Sequence, residues 1–346
     1  MDSRGKKVTQ NDVAREAGVT RSMVSYVISG SNERSVAAET RKRILEAIDR
    51  LGYRPNKAAQ ALQQGNEGFA KNQIGVVLCS PDVFRRPYYA EIIEGIHTCA
   101  HDNKYHVRFI RFFSELKNPV LFNELIHPEE IGGLILVSTD QCIKSPADEK
   151  LVKKISERIK NIVCVEWKSE GLSSVLFDRQ DAARKAASYL FLKGYDTVAY
   201  IGEQDDRIMG VKQAFLENNK DVSTLHVEDA FTMSGGYSAI KEMSKSFKEQ
   251  KQEFPRAIVC GSDEVAEGIL CYLNEQKIPI PQQVAIISID NIESSGYTTP
   301  PLTTINVQKS AMGCRAVEMI VNGSAAQGEN AVCITLPTNI VERSSC

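Results

Sequence analysis

The sequence predicts an α/β protein with a small all-helical head. Three observations support this. The first 55 residues read as three short helices joined by turn residues, with no strand pattern. From Gln73 onward, short and nearly continuous apolar runs alternate with longer amphipathic stretches, the pattern of parallel sheets covered on both faces. Residues 73–346 also exceed what one hydrophobic core comfortably organises, so two lobes are expected.

In the head, Thr9 is placed to N-cap a first helix whose apolar positions are Val13, Ala14 and Ala17. Gly18 supplies a left-handed turn, and Thr20 caps a second helix. That second helix buries Val24, Val27 and Ile28 and leaves Arg21, Ser22, Ser25 and Tyr26 outward. A third helix carries Ile44, Ala47, Ile48 and Leu51 on one face and stops at Gly52. Two helices meeting at a glycine turn make a helix-turn-helix, whose second helix can enter a DNA major groove. Charge agrees. Residues 1–64 hold 12 Lys and Arg against 7 Asp and Glu, whereas the remainder holds 30 against 37. A basic head on an acidic body confines phosphate attraction to the head.

Beyond Gly52 the chain reads Tyr-Arg-Pro-Asn-Lys-Ala-Ala-Gln-Ala-Leu-Gln-Gln-Gly, ending at Gly65. With this segment the head resembles that of the lac repressor/galactose repressor family of bacterial transcription regulators. The resemblance implies a helix-turn-helix domain over 1–55, a hinge helix over 56–65 and a linker over 66–72. In the family the hinge folds on operator DNA, paired with its copy in the minor groove. Leu62 matches the leucine that wedges into the central base step, and Ala59 the small residue against the groove floor. A helix of about ten residues is too short to persist alone in water, so its ordering couples to binding. The resemblance also implies that Arg21, Ser22 and Tyr26 face base edges, with Thr9, Thr20, Ser25, Thr40 and Asn56 nearer phosphates. Tyr26 stands where well-known members carry arginine or histidine, so their operator sequences do not transfer.

Candidate strands in the body are 74–79, 107–112, 133–137, 162–166, 198–201, 257–259, 284–289 and 303–307, with helical stretches between them. Asp178-Arg-Gln-Asp-Ala-Ala, Arg207-Ile-Met-Gly, Ser262-Asp-Glu-Val-Ala-Glu-Gly and Ser288-Ile-Asp-Asn occur in the same order as in that family's effector core. The resemblance thus extends over essentially the whole chain and implies the two-lobed fold of periplasmic sugar-binding proteins over 73–346. Lobe 1 is expected at about 73–177 with 308–335, and lobe 2 at about 178–307 with 336–346. It implies a small-molecule effector in the cleft between them, at the carboxyl ends of the strands. Matching positions nominate Tyr88, Tyr89, Asp140 and Trp167 from the first half, and Arg207, Ser262, Asp263 and Asp290 from the second. Carboxylates, an arginine and aromatic planes suit polyols. Asp263 also suits a helix cap, since Ser262-Asp263 precedes an amphipathic run, Asp290 a backbone contact, Arg207 a structural ion pair and Trp167 core packing. Arg86 replaces an asparagine common in sugar-binding relatives, which gives weight to a sugar phosphate.

Other signals are weaker. His97 and His101 share one face of a helix, but no carboxylate signature accompanies them, and no metal or other cofactor is expected. Nine cysteines, odd in number and without a Cys-x-x-Cys, read as reduced thiols in a cytoplasmic protein without a membrane span. No Walker loop, nucleophile elbow or dinucleotide fingerprint appears, so an enzyme is not expected. The expected function is a homodimeric repressor on palindromic operator DNA, controlled by a sugar or sugar phosphate. The alternatives are a cytosolic solute-binding module, or a regulator responding to a purine or other non-sugar ligand.

Overall fold

The computed structural model describes residues 8–29, 36–53 and 69–346. In chain order, the head supplies α1 (Gln10–Ala17), α2 (Arg21–Ser29) and α3 (Ala38–Leu51). There follow β1 (Gln73–Leu78), α4 (Pro87–Asp102), β2 (His106–Phe112), α5 (Pro119–Leu125), β3 (Gly133–Val137), α6 (Pro146–Arg158), β4 (Ile162–Val165) and β5 (Ser173–Phe177). The chain continues through α7 (Arg179–Leu192), β6 (Val198–Gly202), α8 (Asp206–Glu217), β7 (His226–Asp229), α9 (Met233–Gln250), β8 (Ala257–Cys260), α10 (Asp263–Glu275), β9 (Ala285–Asp290) and β10 (Thr303–Asn306). It ends with α11 (Lys309–Val321), β11 (Cys333–Leu336) and β12 (Asn339–Val341).

Two compact units result. One takes residues 1–85, 92–175 and 312–334, the other 86–91, 176–311 and 335–346. The first sheet has the order β11-β5-β4-β3-β1-β2, the second β12-β10-β9-β8-β6-β7. In the second sheet only β12 runs antiparallel to its neighbour. Every residue of β1, β3 and β4 is buried, as are those of β6, β8 and β9. This explains why those strands read as nearly continuous apolar runs. Four strands escape the apolar-run criterion. β7 (His-Val-Glu-Asp), β11 and β12 are short, partly exposed edge strands, and β5 opens on two buried serines.

The head is held by Val13, Val24, Ile44 and Ile48, each fully buried. Burial of such a side chain is worth about 1.5–3 kcal/mol. Thr9 and Asp12 form a capping box: the Asp12 amide donates to Thr9 Oγ1 (3.3 Å) and the Thr9 amide to Asp12 Oδ2 (2.9 Å). Gly18 and Gly52 end α1 and α3 in the left-handed region, at φ 64° and 61°. Thr9→Ala is expected to cost the head about 1 kcal/mol, read as a lower head melting temperature. Asn123 of α5 donates to the Ile48 carbonyl (3.2 Å), and Lys154 of α6 pairs with Asp49 (2.8 Å).

The expectation that all nine cysteines are reduced thiols is corrected at one pair. Cys99 on α4 and Cys314 on α11, 215 residues apart in sequence, meet in disulfide contact with their Cα atoms 5.1 Å apart. Sequence spacing carries no trace of this, because the pairing depends on how two distant helices pack.

Candidate functional site

Along α2, Val24 and Val27 are buried, Arg21, Ser22 and Ser25 are exposed and Tyr26 is half-buried. Thr20 caps the helix by accepting from the Met23 amide (3.3 Å). Arg21 is braced from the neighbouring helix, its Nε donating to Gln10 Oε1 at 3.3 Å. The outward arginine is therefore steadied by a residue that sequence reasoning passed over. Thr9 and Thr20 both spend their hydroxyls on caps, so their first duty is to shape the turn. Thr40 lies half-buried on α3. Asn56, Ala59 and Leu62 lie outside the described residues.

The second unit concentrates chemistry at the carboxyl edge of its sheet. Arg207, just after β6, is buried, and its Nη1 pairs with Asp205 (2.8 Å) and Glu203 (3.2 Å). Burial opposes its charge, yet those acids and the nearby Tyr200 raise its pKa on balance, so it stays a guanidinium. Its Nε is buried without a hydrogen-bond partner. Asp290 ends β9 with φ 128°, followed by Asn291 at φ 57°. Such strained backbone persists only where surroundings enforce it. The enforcing group is Lys309, whose ammonium donates to the carbonyls of Asp290 (2.6 Å), Asn291 (3.2 Å) and Val307 (3.3 Å) and pairs with Glu91 (3.3 Å). Burial, and then the neighbouring Asp263, push the Asp290 carboxyl well above the usual range.

Two expected ligand contacts are spent on structure. Asp263 is fully buried; it accepts hydrogen bonds from Ser288 Oγ, Thr304 Oγ1 (2.6 Å) and the Ile292 amide (2.8 Å), tying α10 to β9 and β10. Ser262 Oγ accepts from the Val265 amide (3.3 Å) and caps α10. The cap role weighed for Asp263 falls to its neighbour Ser262, while the aspartate braces the sheet edge.

Burial pushes the Asp263 carboxyl up to about 6 despite those donors. An unfolded aspartate titrates near 3.9, so between these values the folded chain binds more protons than the unfolded one. Its contribution to stability therefore falls as pH rises from about 4 to 6. Melting followed from pH 7 to 5 is expected to show Asp263→Asn with a smaller gain on acidification than the parent chain.

Arg86 sits among acids and rings. It pairs with Glu264 (2.7 Å) and lies over Phe231, 4.1 Å from the ring centre. Tyr88 and Tyr89 meet edge to face with centres 5.3 Å apart. Phe231 remains 39% exposed, which leaves an aromatic face available. At the ends of β6 and β8, Gly202 and Gly261 pass so closely that a Cβ on Gly202 would lie 2.6 Å from the Gly261 Cα. No side chain rises from the edge there.

In the first unit, Asp140 follows β3 in a short turn after Ser138, whose φ is 47°. Trp167 packs, partly buried, against the core beneath that sheet, which favours the packing role weighed for it. Sequence reasoning missed Lys309, Phe231 and Gln10 because none belongs to a motif. A buried lysine opening an apolar helix was the one available hint. Among the described residues, one set could gather a metal ion: Cys99, Cys314 and Glu318, with ligand atoms within 4.8 Å of one another. No helix among them is long and apolar enough to cross a membrane.

Comparison with known proteins finds matches for both the head and the body of the chain. Residues 9–56 match the family described as bacterial regulatory proteins, lacI family. Residues 187–346 match the periplasmic binding protein-like domain. The chain is 27% identical over 348 residues to the HTH-type transcriptional repressor PurR of Edwardsiella ictaluri, covering 97% of this chain and 96% of that one. Among solved structures it resembles the lac repressor dimer bound to operator and the anti-inducer ONPF. That match has a TM-score of 0.66 at 21% identity, over 98% of this chain and 99% of the other. The complex of the transcriptional regulator CelR with cellobiose is similar at TM-score 0.65 and 21% identity, over 98% and 100%. With its head, its two sheets and its relatives in agreement, the chain carries a lacI-family helix-turn-helix domain joined to a periplasmic-binding-protein-like domain.

Proposed function

We propose that the chain is a cytoplasmic, homodimeric repressor of a palindromic operator, and that a small uncharged sugar or polyol sets its affinity for DNA. In this reading the exposed face of α2 reads bases in each half-site. Leu62 wedges the centre of the site, with Ala59 against the groove floor and Asn56 near a phosphate. Arg207 and Asp290 hold hydroxyls of the ligand, and Tyr88 and Tyr89 provide apolar planes. Ligand binding then shifts the population between forms with high and low operator affinity.

The observation that carries the ligand reading is the charge pattern at the second sheet's edge. Arg86, Arg207 and Lys309 are each already paired, with Glu264, with Asp205 and Glu203, and with Glu91. Asp263 and Asp290 add two further buried carboxyls. Each of these three cations already has an acidic partner, which supports an uncharged ligand over a phosphate. Hydroxyl groups, which both donate and accept, match the open Arg207 Nε and the Asp290 carboxyl. The similar CelR structure was solved with cellobiose. A second reading, a flat heteroaromatic ligand such as a purine, is favoured by the exposed face of Phe231.

Thermal-shift screening of the purified chain against neutral sugars, sugar phosphates and purines tests this directly. A shift confined to a neutral sugar supports the polyol reading, and a shift confined to purines replaces it. Deleting residues 1–65 is expected to abolish operator binding and leave the ligand shift in place.

A further inference from the structure

We propose that Cys99 and Cys314 form a reversible disulfide, a modification site oxidised by a hydroperoxide. The helices that carry them pack backbone to backbone. A Cβ on Gly313 would lie 2.2 Å from the Ile92 carbonyl oxygen and 2.8 Å from the Ile96 nitrogen, so only glycine permits this approach. The next residue, Cys314, is thereby delivered to Cys99 with a Cα separation of 5.1 Å, within the range that a disulfide spans without backbone movement.

Reversibility rests on the reduced state being provided for as well. The Cys99 thiol has the Cys314 carbonyl oxygen as acceptor at 3.4 Å, and Asn103 Nδ2 lies 3.7 Å from the Cys99 sulfur. The Cys314 thiol faces Glu318 Oε1 at 3.9 Å, while the other oxygen of that carboxylate pairs with Arg315 at 2.7 Å. Once the bond opens, each thiol thus has an acceptor within reach.

Exposure assigns the order of events. Cys314 is half-buried and Cys99 only 6% exposed, so the peroxide meets Cys314 first. The Cys314 thiolate attacks one peroxide oxygen, the O–O bond breaks, and a sulfenic acid and one water form. The Cys99 sulfur then attacks that sulfur, the S–O bond breaks, and a second water leaves. One hydrogen peroxide and two thiols give one disulfide and two waters. An external dithiol restores both thiols by exchange. Such transient bridges are the kind found in reducing compartments.

The full chain, reduced with dithiothreitol and desalted, is treated with equimolar hydrogen peroxide, alkylated and mapped by mass spectrometry. With alkylation carried out after denaturation, the free thiol count is expected to fall from nine to seven, with a Cys99–Cys314 crosslinked peptide that dithiothreitol reverses. Closing so long a loop is expected to raise the melting temperature by roughly 5–10 °C. In Cys99→Ser the count falls by one and a sulfenic-acid trap labels Cys314. Should that variant not fold, Cys314→Ser decides alone, since no crosslink to Cys99 can then form. Retention of all nine thiols, a crosslink elsewhere, or stoichiometric zinc uptake by the reduced chain that Cys314→Ser abolishes would each overturn the proposal.

Discussion

Arg207→Ala is expected to erase the effector's thermal shift, weakening binding by at least about a hundredfold. This guanidinium is buried beside two carboxylates with one nitrogen open, so a ligand hydroxyl there accepts from a desolvated, fixed donor. Truncating one partner of a buried, hydrogen-bonded charge pair typically costs about 2–5 kcal/mol. Alanine would also strand Asp205 and remove the positive charge that restrains the Asp290 carboxyl, so the apo chain is expected to melt lower. Arg207→Lys separates the two effects. Lysine restores a positive charge and part of the stability, but it has no planar fork and no Nε-H, so ligand affinity stays low. A ligand shift that survives Arg207→Ala would move the binding site away from this edge.

That same edge shows which features a sequence can display. The strands at its centre were legible because burial on both faces selects mostly apolar residues, as in Ala285–Asp290, where Ser288 and Asp290 alone are polar. Arg207, in the first turn of α8, and Asp290, at the end of β9, were legible because each lies within a recognisable string of residues. Lys309 was not, since its role depends on three carbonyls gathered from a strand end and a turn. Asp263 appeared equally suited to ligand or cap, and only the positions of Ser288, Thr304 and Ile292 assign it to neither. The Cys99–Cys314 contact depends on Gly313 meeting Ile92, a long-range packing fact with no local signature. In the head nearly everything is local, so caps, turn glycines and the buried stripe were all readable; the bracing of Arg21 by Gln10 was not.

Leu62→Ala and Arg21→Ala are expected to weaken operator binding in different ways, which lets a gel shift assign their roles. A wedge that unstacks a base step acts only on a site bent to receive it. Leu62→Ala should therefore lower affinity for a palindrome about tenfold or more, while leaving weak binding to random DNA and its salt slope nearly unchanged. Arg21, exposed at the start of α2 and steadied by Gln10, can bond in two places to a guanine edge. Each such pair discriminates by about 1–3 kcal/mol, and a dimer makes it once per half-site. Arg21→Ala should thus relax preference at one base pair in each half-site, symmetrically. If Arg21 instead only touches phosphate, its loss would weaken all sequences alike and reduce the salt slope by about one for each head. A palindrome bound equally well by Leu62→Ala and the parent chain would remove the wedge from the mechanism, leaving the exposed face of α2 to carry recognition alone.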